Sequence, residues 1–297
     1  MASSLKHPNA RILIGEDAEE TGRLAAQVLL DVVTTDPAAV IGLATGSSPL
    51  PLYSALAASG ADFSAVSGFA LDEYLGLPEG HPQSYAEVVR TEVTEPLGLD
   101  PALVHTPDPQ GEDHAARAAA YDAAIAAAGG IDVQILGIGS NGHIGFNEPG
   151  SAFDSRTRVV PLAERTRQDN ARFFGSLAEV PDQCVTQGIG TIFEARHLLL
   201  IAHGAHKADA VRLALEGPVG EQFPASVIQR HPQVTVVLDR EAAARLGQRA
   251  SDSTRTARPA WGPDGVLLAA QVPACPQEQD GGDRQEQQRE QQQQALR

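Results

Sequence analysis

IDVQILGIGSNGHIGFNEPG, residues 131–150, passes from an apolar run into a loop crowded with polar groups, and that passage decides the fold. The run IDVQILGI, 131–138, is short and rich in β-branched residues, as expected of a strand buried on both faces. Five similar runs stand elsewhere: ARILI (10–14), AVIGLA (39–44), VSGFAL (66–71), HLLLIAHG (197–204) and VTVVLD (234–239). Helix-like segments at 18–33, 49–59, 84–96, 111–128, 205–216 and 240–247 separate them. Alternation of this kind predicts an α/β protein with a mostly parallel sheet and helices on both faces. In such sheets ligands bind outside the carboxyl ends of the strands, so the residues just after each run are the ones to inspect.

Composition narrows the partners. The 297-residue chain is 42% hydrophobic and 20% charged, with a formal net charge of −16. That sign argues against a nucleic-acid or anionic-membrane surface. Nowhere do 18 consecutive apolar residues occur and no secretory apolar region opens the chain, so a cytoplasmic protein without a membrane partner is expected. Cys184 and Cys275 are too few for a disulfide framework or a thiolate zinc site, and no metal is expected. Residues 1–250 read as one domain. From Ser251 the composition turns to Pro, Gly and then ten Gln within 271–297, a divergent tail expected to be disordered.

Three strand ends carry chemistry. After AVIGLA, the loop Thr45-Gly46-Ser47-Ser48-Pro49 offers outward backbone N–H groups, hydroxyls and a helix start, a seat for a phosphate. Ser48 is expected to cap the helix and Pro49 to occupy its first turn, and a capped β–α turn with no ligand explains the same residues. After VSGFAL, Asp72-Glu73-Tyr74 brings two carboxylates out of a buried strand, and burial would raise the pKa of either toward service as a base. The residue types do not choose between them. After IDVQILGI, His143 lies between Asn141 and Glu148, where an imidazole can move a proton near neutral pH and Glu148 can raise its basicity. Cations are scarce, which gives Arg156, Arg158, Arg165, Arg167, Arg172 and Lys207 added weight. Lys207 begins a helix at the same sheet edge, and one Arg with one Lys there would focus positive potential on a phosphorylated small substrate.

Taken together, LATGSSPLPLY, FALDEYLGLPEGHPQSY, LGIGSNGHIGFNEPGS, SRTRVVPL, TRQDNARFF, TQGIGTIFEARHLLLIA and HKADAVRLALEGPV strongly resemble the glucosamine-6-phosphate deaminase family. The likeness runs from about residue 10 to 250, and ARPAW, ending at Trp261, looks like a worn form of the family's C-terminal end. The resemblance implies a Rossmann-like three-layer sandwich and conversion of glucosamine 6-phosphate and water to fructose 6-phosphate and ammonia in amino sugar catabolism. It implies Asp72 as the base that moves a proton from C2 to C1, and His143, with Glu148 and Asn141, as the group that opens the sugar ring. Phosphate contacts map to Thr45, Gly46, Ser47, Ser48, Arg172 and Lys207. No cofactor is implied, because the substrate's own amine serves as the electron sink. A homo-oligomer is left open, since family members differ.

Two departures matter. Asn141 stands where many relatives carry Asp, so Glu148 alone would supply charge to the imidazole. In members activated by N-acetylglucosamine 6-phosphate a serine pair, an Arg and a Lys hold the effector; Ser151 and Arg158 remain here, but Ala152 and Val160 replace the others, so hyperbolic kinetics are expected. Competing readings are a 6-phosphogluconolactonase-like hydrolase, against which the DEY and FNEP strings argue, and a non-catalytic sugar-phosphate sensor. The sensor would carry a helix-turn-helix and a basic surface, and neither is seen. The galactosamine epimer as substrate stays open.

Overall fold

All six apolar runs become strands in the computed structural model, which describes residues 3–7 and 10–247. The strands are β1 (Ser3–His7), β2 (Ala10–Gly15), β3 (Val40–Leu43), β4 (Ser67–Ala70), β5 (Asp72–Tyr74), β6 (Val104–His105), β7 (Val133–Leu136), β8 (Arg158–Pro161), β9 (Gln183–Thr186), β10 (His197–Ala202) and β11 (Val234–Asp239). Helices are α1 (Ala18–Thr35), α2 (Leu50–Ala58), α3 (Tyr85–Val89), α4 (Glu95–Leu97), α5 (His114–Ala127), α6 (Glu164–Asn170), α7 (Ile189–Phe193) and α8 (Ala208–Glu216). The main sheet runs β1-β2-β11-β10-β7-β3-β4-β6. Every pairing in it is parallel except the β1–β2 hairpin.

Burial explains why the central strands are apolar throughout. Leu198, Leu199, Leu200 and Ile201 follow one another along β10, each at most 1% exposed, so both faces of the sheet are covered. At about 1.5–3 kcal/mol per fully buried side chain, such consecutive residues fix the strand in the interior. Close approaches need glycine at two points. A Cβ on Gly42 of β3 would overlap the Gln134 side chain of β7, and one on Gly22 of α1 would strike Pro51 of α2. The start of α1 is fixed by Asp17, which accepts from the Glu20 N–H at 2.8 Å, while Glu20 reaches back to the Glu16 N–H at 2.7 Å.

Three elements differ from expectation. The 84–96 segment is split by a π turn at Arg90–Thr94, just before Pro96, whose missing N–H breaks the ladder, and the last helical residue is Leu97, ahead of Gly98 at φ +66°. Residues 240–247 form turns and no helix; eight residues closed by Gly247 at φ +71° are too few to sustain one. A second, antiparallel sheet, β5-β9-β8, was not foreseen, because its strands are three or four residues long and mix polar with apolar. Beneath it lies a small separate core of Tyr74, Phe146, Leu162 and Cys184. The expected tail, 251–297, with ARPAW and Cys275, lies outside the described residues.

Candidate active site

Neighbouring strands β10, β7, β3 and β4 all point the same way, so the loops that follow them emerge side by side on one rim. Those loops hold Lys207, His143, Thr45–Ser48 and Asp72 respectively.

Asp72 opens β5 directly after β4, and pairing of its backbone with Thr186 holds it beneath the histidine loop. It is 6% exposed, and among the described residues its carboxylate accepts no hydrogen bond. Burial, reinforced by the neighbouring Glu73 charge, pushes the Asp72 carboxyl well above the usual carboxylate range. Its Oδ2 stands 3.5 Å from where a Cβ on Gly145 would sit, two residues beyond His143. Gly145 has φ +54°, so the loop bends at a position where glycine is the residue without strain.

Glu73 is occupied differently. Its Oε1 accepts from the Tyr74 and Tyr85 N–H groups at 2.7 and 2.8 Å, and Oε2 accepts from the Ala86 N–H at 2.8 Å. The carboxylate thus satisfies the orphan donors at the start of α3, beside the Ser84 cap. Burial still leaves its pKa raised against the pull of those three donors. The two adjacent carboxylates have different surroundings: Glu73 builds the helix start and Asp72 faces the loop.

In the histidine loop the imidazole packs flat enough on Gly139 that a Cβ there would enter the ring, and Gly142, at φ +85°, leaves room for Phe223. Glu148 is the hub. Asn141 Nδ2 donates to its Oε2 at 2.6 Å and Thr166 Oγ1 donates to its Oε1 at 2.5 Å. His143 Nδ1 lies 3.6 Å from Oε1, an ion-pair distance longer than a hydrogen bond, and Nδ1 is buried without a hydrogen-bond partner. Burial would raise the Glu148 pKa, but contact with His143 and donation from Thr166 and Asn141 outweigh it and bring the value down to about 2. The carboxylate is therefore ionised whenever the imidazole needs a counter-charge. Asn141 replaces the charge of an aspartate with a donor to that same carboxylate.

The loop and lysine expected to seat an anion come together at three strand ends. Gly46 turns at φ +86° and the loop around it is exposed. Ser48 does not cap α2, whose start has no side-chain cap; it lies instead against Gly137 at the end of β7. Pro49 fills the cap position. Lys207 sits in a 3₁₀ turn, Ala205–Lys207, ahead of α8, and its Nζ donates to the Ile138 carbonyl at 2.7 Å. His203 Nε2 meets the Ser47 carbonyl at 3.3 Å. Burial and then the charges of Lys207 and His203 depress the His206 pKa against the opposing pull of Asp239, while Arg172 stands exposed in the turn Ala171–Phe173 with its guanidinium over the Phe173 ring, 4.7 Å from the centroid. Three of the other arginines singled out in the sequence are engaged elsewhere, and the side chain of Arg165 lies outside the described residues. Arg156 pairs with Asp122 and Glu194. Arg158 donates to Asn147 and Ser151, and Arg167 to the Leu177 and Val180 carbonyls.

Two positioning groups were missed. The buried Tyr53 hydroxyl donates to the Ala44 carbonyl at 2.8 Å and accepts from the Ala44 N–H at 3.2 Å, fixing the residue before Thr45. Nothing in the sequence marks it, because a Tyr in a helix reads as core. Thr166 was missed because its partner Glu148 is 18 residues away. His81 stacks on Phe174, with centroids 6.1 Å apart.

Residues 16–237 match the family described as glucosamine-6-phosphate isomerases/6-phosphogluconolactonase. A glucosamine-6-phosphate deaminase of Pseudarthrobacter chlorophenolicus is 58% identical over 228 residues, covering 76% of this chain and 88% of that protein. One from Arthrobacter sp. strain FB24 is 52% identical over 257 residues, covering 84% and 98%. Among solved structures, a monomeric glucosamine-6-phosphate deaminase superposes with a TM-score of 0.76 at 40% identity, over 78% of this chain and 98% of that one. The 6-phosphogluconolactonase of Trypanosoma brucei, at 21% identity and a TM-score of 0.65, shares the fold. Matched along most of its length by that family and those relatives, the chain belongs to the glucosamine-6-phosphate isomerase/6-phosphogluconolactonase family.

Proposed function

We propose that this chain converts glucosamine 6-phosphate and water to fructose 6-phosphate and ammonia. The observation that carries this is the buried Asp72 carboxylate, which accepts no hydrogen bond among the described residues, set against the His143 loop on the rim that also holds Lys207. In this mechanism the 6-phosphate rests on Thr45–Ser48 with Arg172 and Lys207. His143, its charge balanced by Glu148, carries a proton between the ring oxygen and the anomeric hydroxyl and opens the pyranose. Asp72 takes the proton from C2 and returns it at C1. Removal of the C2 proton gives the enolamine, its protonation at C1 leaves an iminium at C2, water adds there, and ammonia leaves. No redox change occurs and no cofactor is called for. Relatives 58% and 52% identical that carry the deaminase name support the reading over lactone hydrolysis.

The solved deaminase relative is a monomer, which favours a site complete within one chain. No described helix is long and apolar enough to cross a membrane. Cytoplasmic amino sugar catabolism is the setting we propose. Ser151 remains bonded to Arg158, while Ala152 and Val160 offer no further anion ligand, so kinetics should be hyperbolic and indifferent to N-acetylglucosamine 6-phosphate.

The test is paired detection of ammonia and ketose phosphate from glucosamine 6-phosphate, with 6-phosphogluconolactone as the control substrate. Equimolar ammonia and ketose phosphate are expected. Lactone hydrolysis without ammonia release would replace the deaminase with a lactonase.

A further inference from the structure

Glu148 is held by two neutral donors that come from different parts of the chain. Asn141 belongs to its own loop, whereas Thr166 reaches in from α6. Thr166 is 6% exposed, and its hydroxyl takes the same carboxylate oxygen, Oε1, that faces His143 Nδ1 from 3.6 Å. The position of that oxygen, and so the approach of the imidazole to its counter-charge, is set by a residue outside the histidine loop.

The same helical stretch carries Arg172. The Ala171 N–H bonds back to the Arg167 and Gln168 carbonyls, joining α6 to the 3₁₀ turn Ala171–Phe173 without a break. Asn170 Nδ2 ties the stretch to the Tyr74 hydroxyl at 2.8 Å, and Arg167 ties it to the Leu177 and Val180 carbonyls. Thr166 and Arg172 therefore lie six residues apart on one continuous piece, one in contact with Glu148 and the other the arginine assigned to the phosphate.

The geometry points to Thr166 as a positioning residue that couples capture of an anion by Arg172 to proton transfer at His143. This rests on the proposed assignment of Arg172 to the phosphate. Movement of Arg172 toward a bound phosphate carries Thr166 with it, and Glu148 follows through the 2.5 Å bond. Oε1 then closes its gap to His143 Nδ1 only when a phosphorylated sugar is in place. A sugar without the phosphate would meet an imidazole lacking a closely bonded counter-charge.

The test is a kinetic cycle on the whole chain with glucosamine 6-phosphate, using Thr166→Val, Arg172→Ala and the double variant. Displacing a catalytic group by a fraction of an ångström supports a loss of about tenfold or more in kcat. Thr166→Val should lower kcat by about that factor with little change in KM, and Thr166→Ser, which keeps the hydroxyl, should restore it. Arg172→Ala should raise KM and lower kcat in the native background, but should raise KM alone when Thr166 is already Val. Multiplying kcat losses in the double variant would overturn the coupling while leaving the phosphate assignment intact. An unchanged KM in Arg172→Ala would overturn both. Should the Val variant fail to fold, Thr166→Ala, which leaves space and removes the same hydroxyl, must give the same pattern or the proposal falls.

Discussion

Asp72 and Glu73 are adjacent in sequence, both are buried, and both have raised pKa values, yet their amide variants should behave in opposite ways. Asp72→Asn keeps the shape and removes the base. A positioned base is worth about 10²–10⁴ in rate. That corresponds to about 3–5 kcal/mol of barrier at 1.36 kcal/mol per tenfold. Stability should move the other way, because the Asp72 carboxylate has no donor to offset its burial. Relief of such functional strain commonly stabilises by about 0.5–2 kcal/mol. For a folded body of this size that is an upward Tm shift of roughly 2–6 °C.

The sign follows from linkage. A carboxyl whose folded pKa lies above its unfolded value costs stability once pH exceeds the unfolded value near 4, so the gain from Asp72→Asn is present at neutral pH and vanishes in acid where both states are protonated. Glu73→Gln instead replaces one of the two oxygens that accept from three backbone N–H groups with an NH2 that cannot accept, leaving at least one N–H of the α3 start unpaired. A buried donor left unpaired costs about 1–3 kcal/mol, and because the Glu73 pKa is itself raised, loss of its charge offsets part of that at neutral pH, for a net loss of about 1–2 kcal/mol. Tm should then fall by roughly 2–8 °C while kcat stays within about tenfold. Ammonia release and thermal melts at pH 7 and pH 4 read both effects. An Asp72→Asn variant that turns over normally, beside an inactive Glu73→Gln with native Tm, would refute the assignment.

Tyr53→Phe leaves the Ala44 N–H and C=O without their shared partner and should raise KM for glucosamine 6-phosphate several-fold with a smaller effect on kcat, at a stability cost of about 1–3 kcal/mol, measured by steady-state kinetics and urea titration. Gly139→Ala places a methyl where the His143 ring lies; kcat should fall about 100-fold while the chain stays folded, and native kcat would show the imidazole free to reposition. Burial, the His231 charge and the Arg11 charge depress the His197 pKa, so its contribution is complete above the unfolded value near 6.5 and is lost as pH falls through the folded one. His197→Gln should flatten the dependence of the urea midpoint on pH below 6.5, and an unaltered slope would assign that dependence to other groups.

The parallel core was legible because strands covered on both faces are apolar along their length, as 198–202 and 236–238 are. Loops at their carboxyl ends could then be located by counting. What stayed hidden depends on pairings remote in sequence. Residues 72–74 are too short to declare a strand, and only β9, more than a hundred positions on, makes them one. Glu73 could not be separated from Asp72 because its partners are backbone donors 12 and 13 residues away, which no side-chain pattern records. Ser48 read as a cap by residue type, but its loop is fixed by Tyr53 and His203.

The rim is assembled from loops lying beside one another in space but far apart in the chain, from residue 45 to residue 207, and the sheet is extended beyond them by β11, which pairs β10 on one side and β2 on the other, Thr235 beside Arg11. Long-range parallel pairing of that kind forms slowly. During synthesis, then, the loop bearing Lys207 emerges after the other three rim loops, and β11, which braces β10, follows it. The proposed centre is thus a property of the assembled sheet and of no shorter stretch that precedes β11.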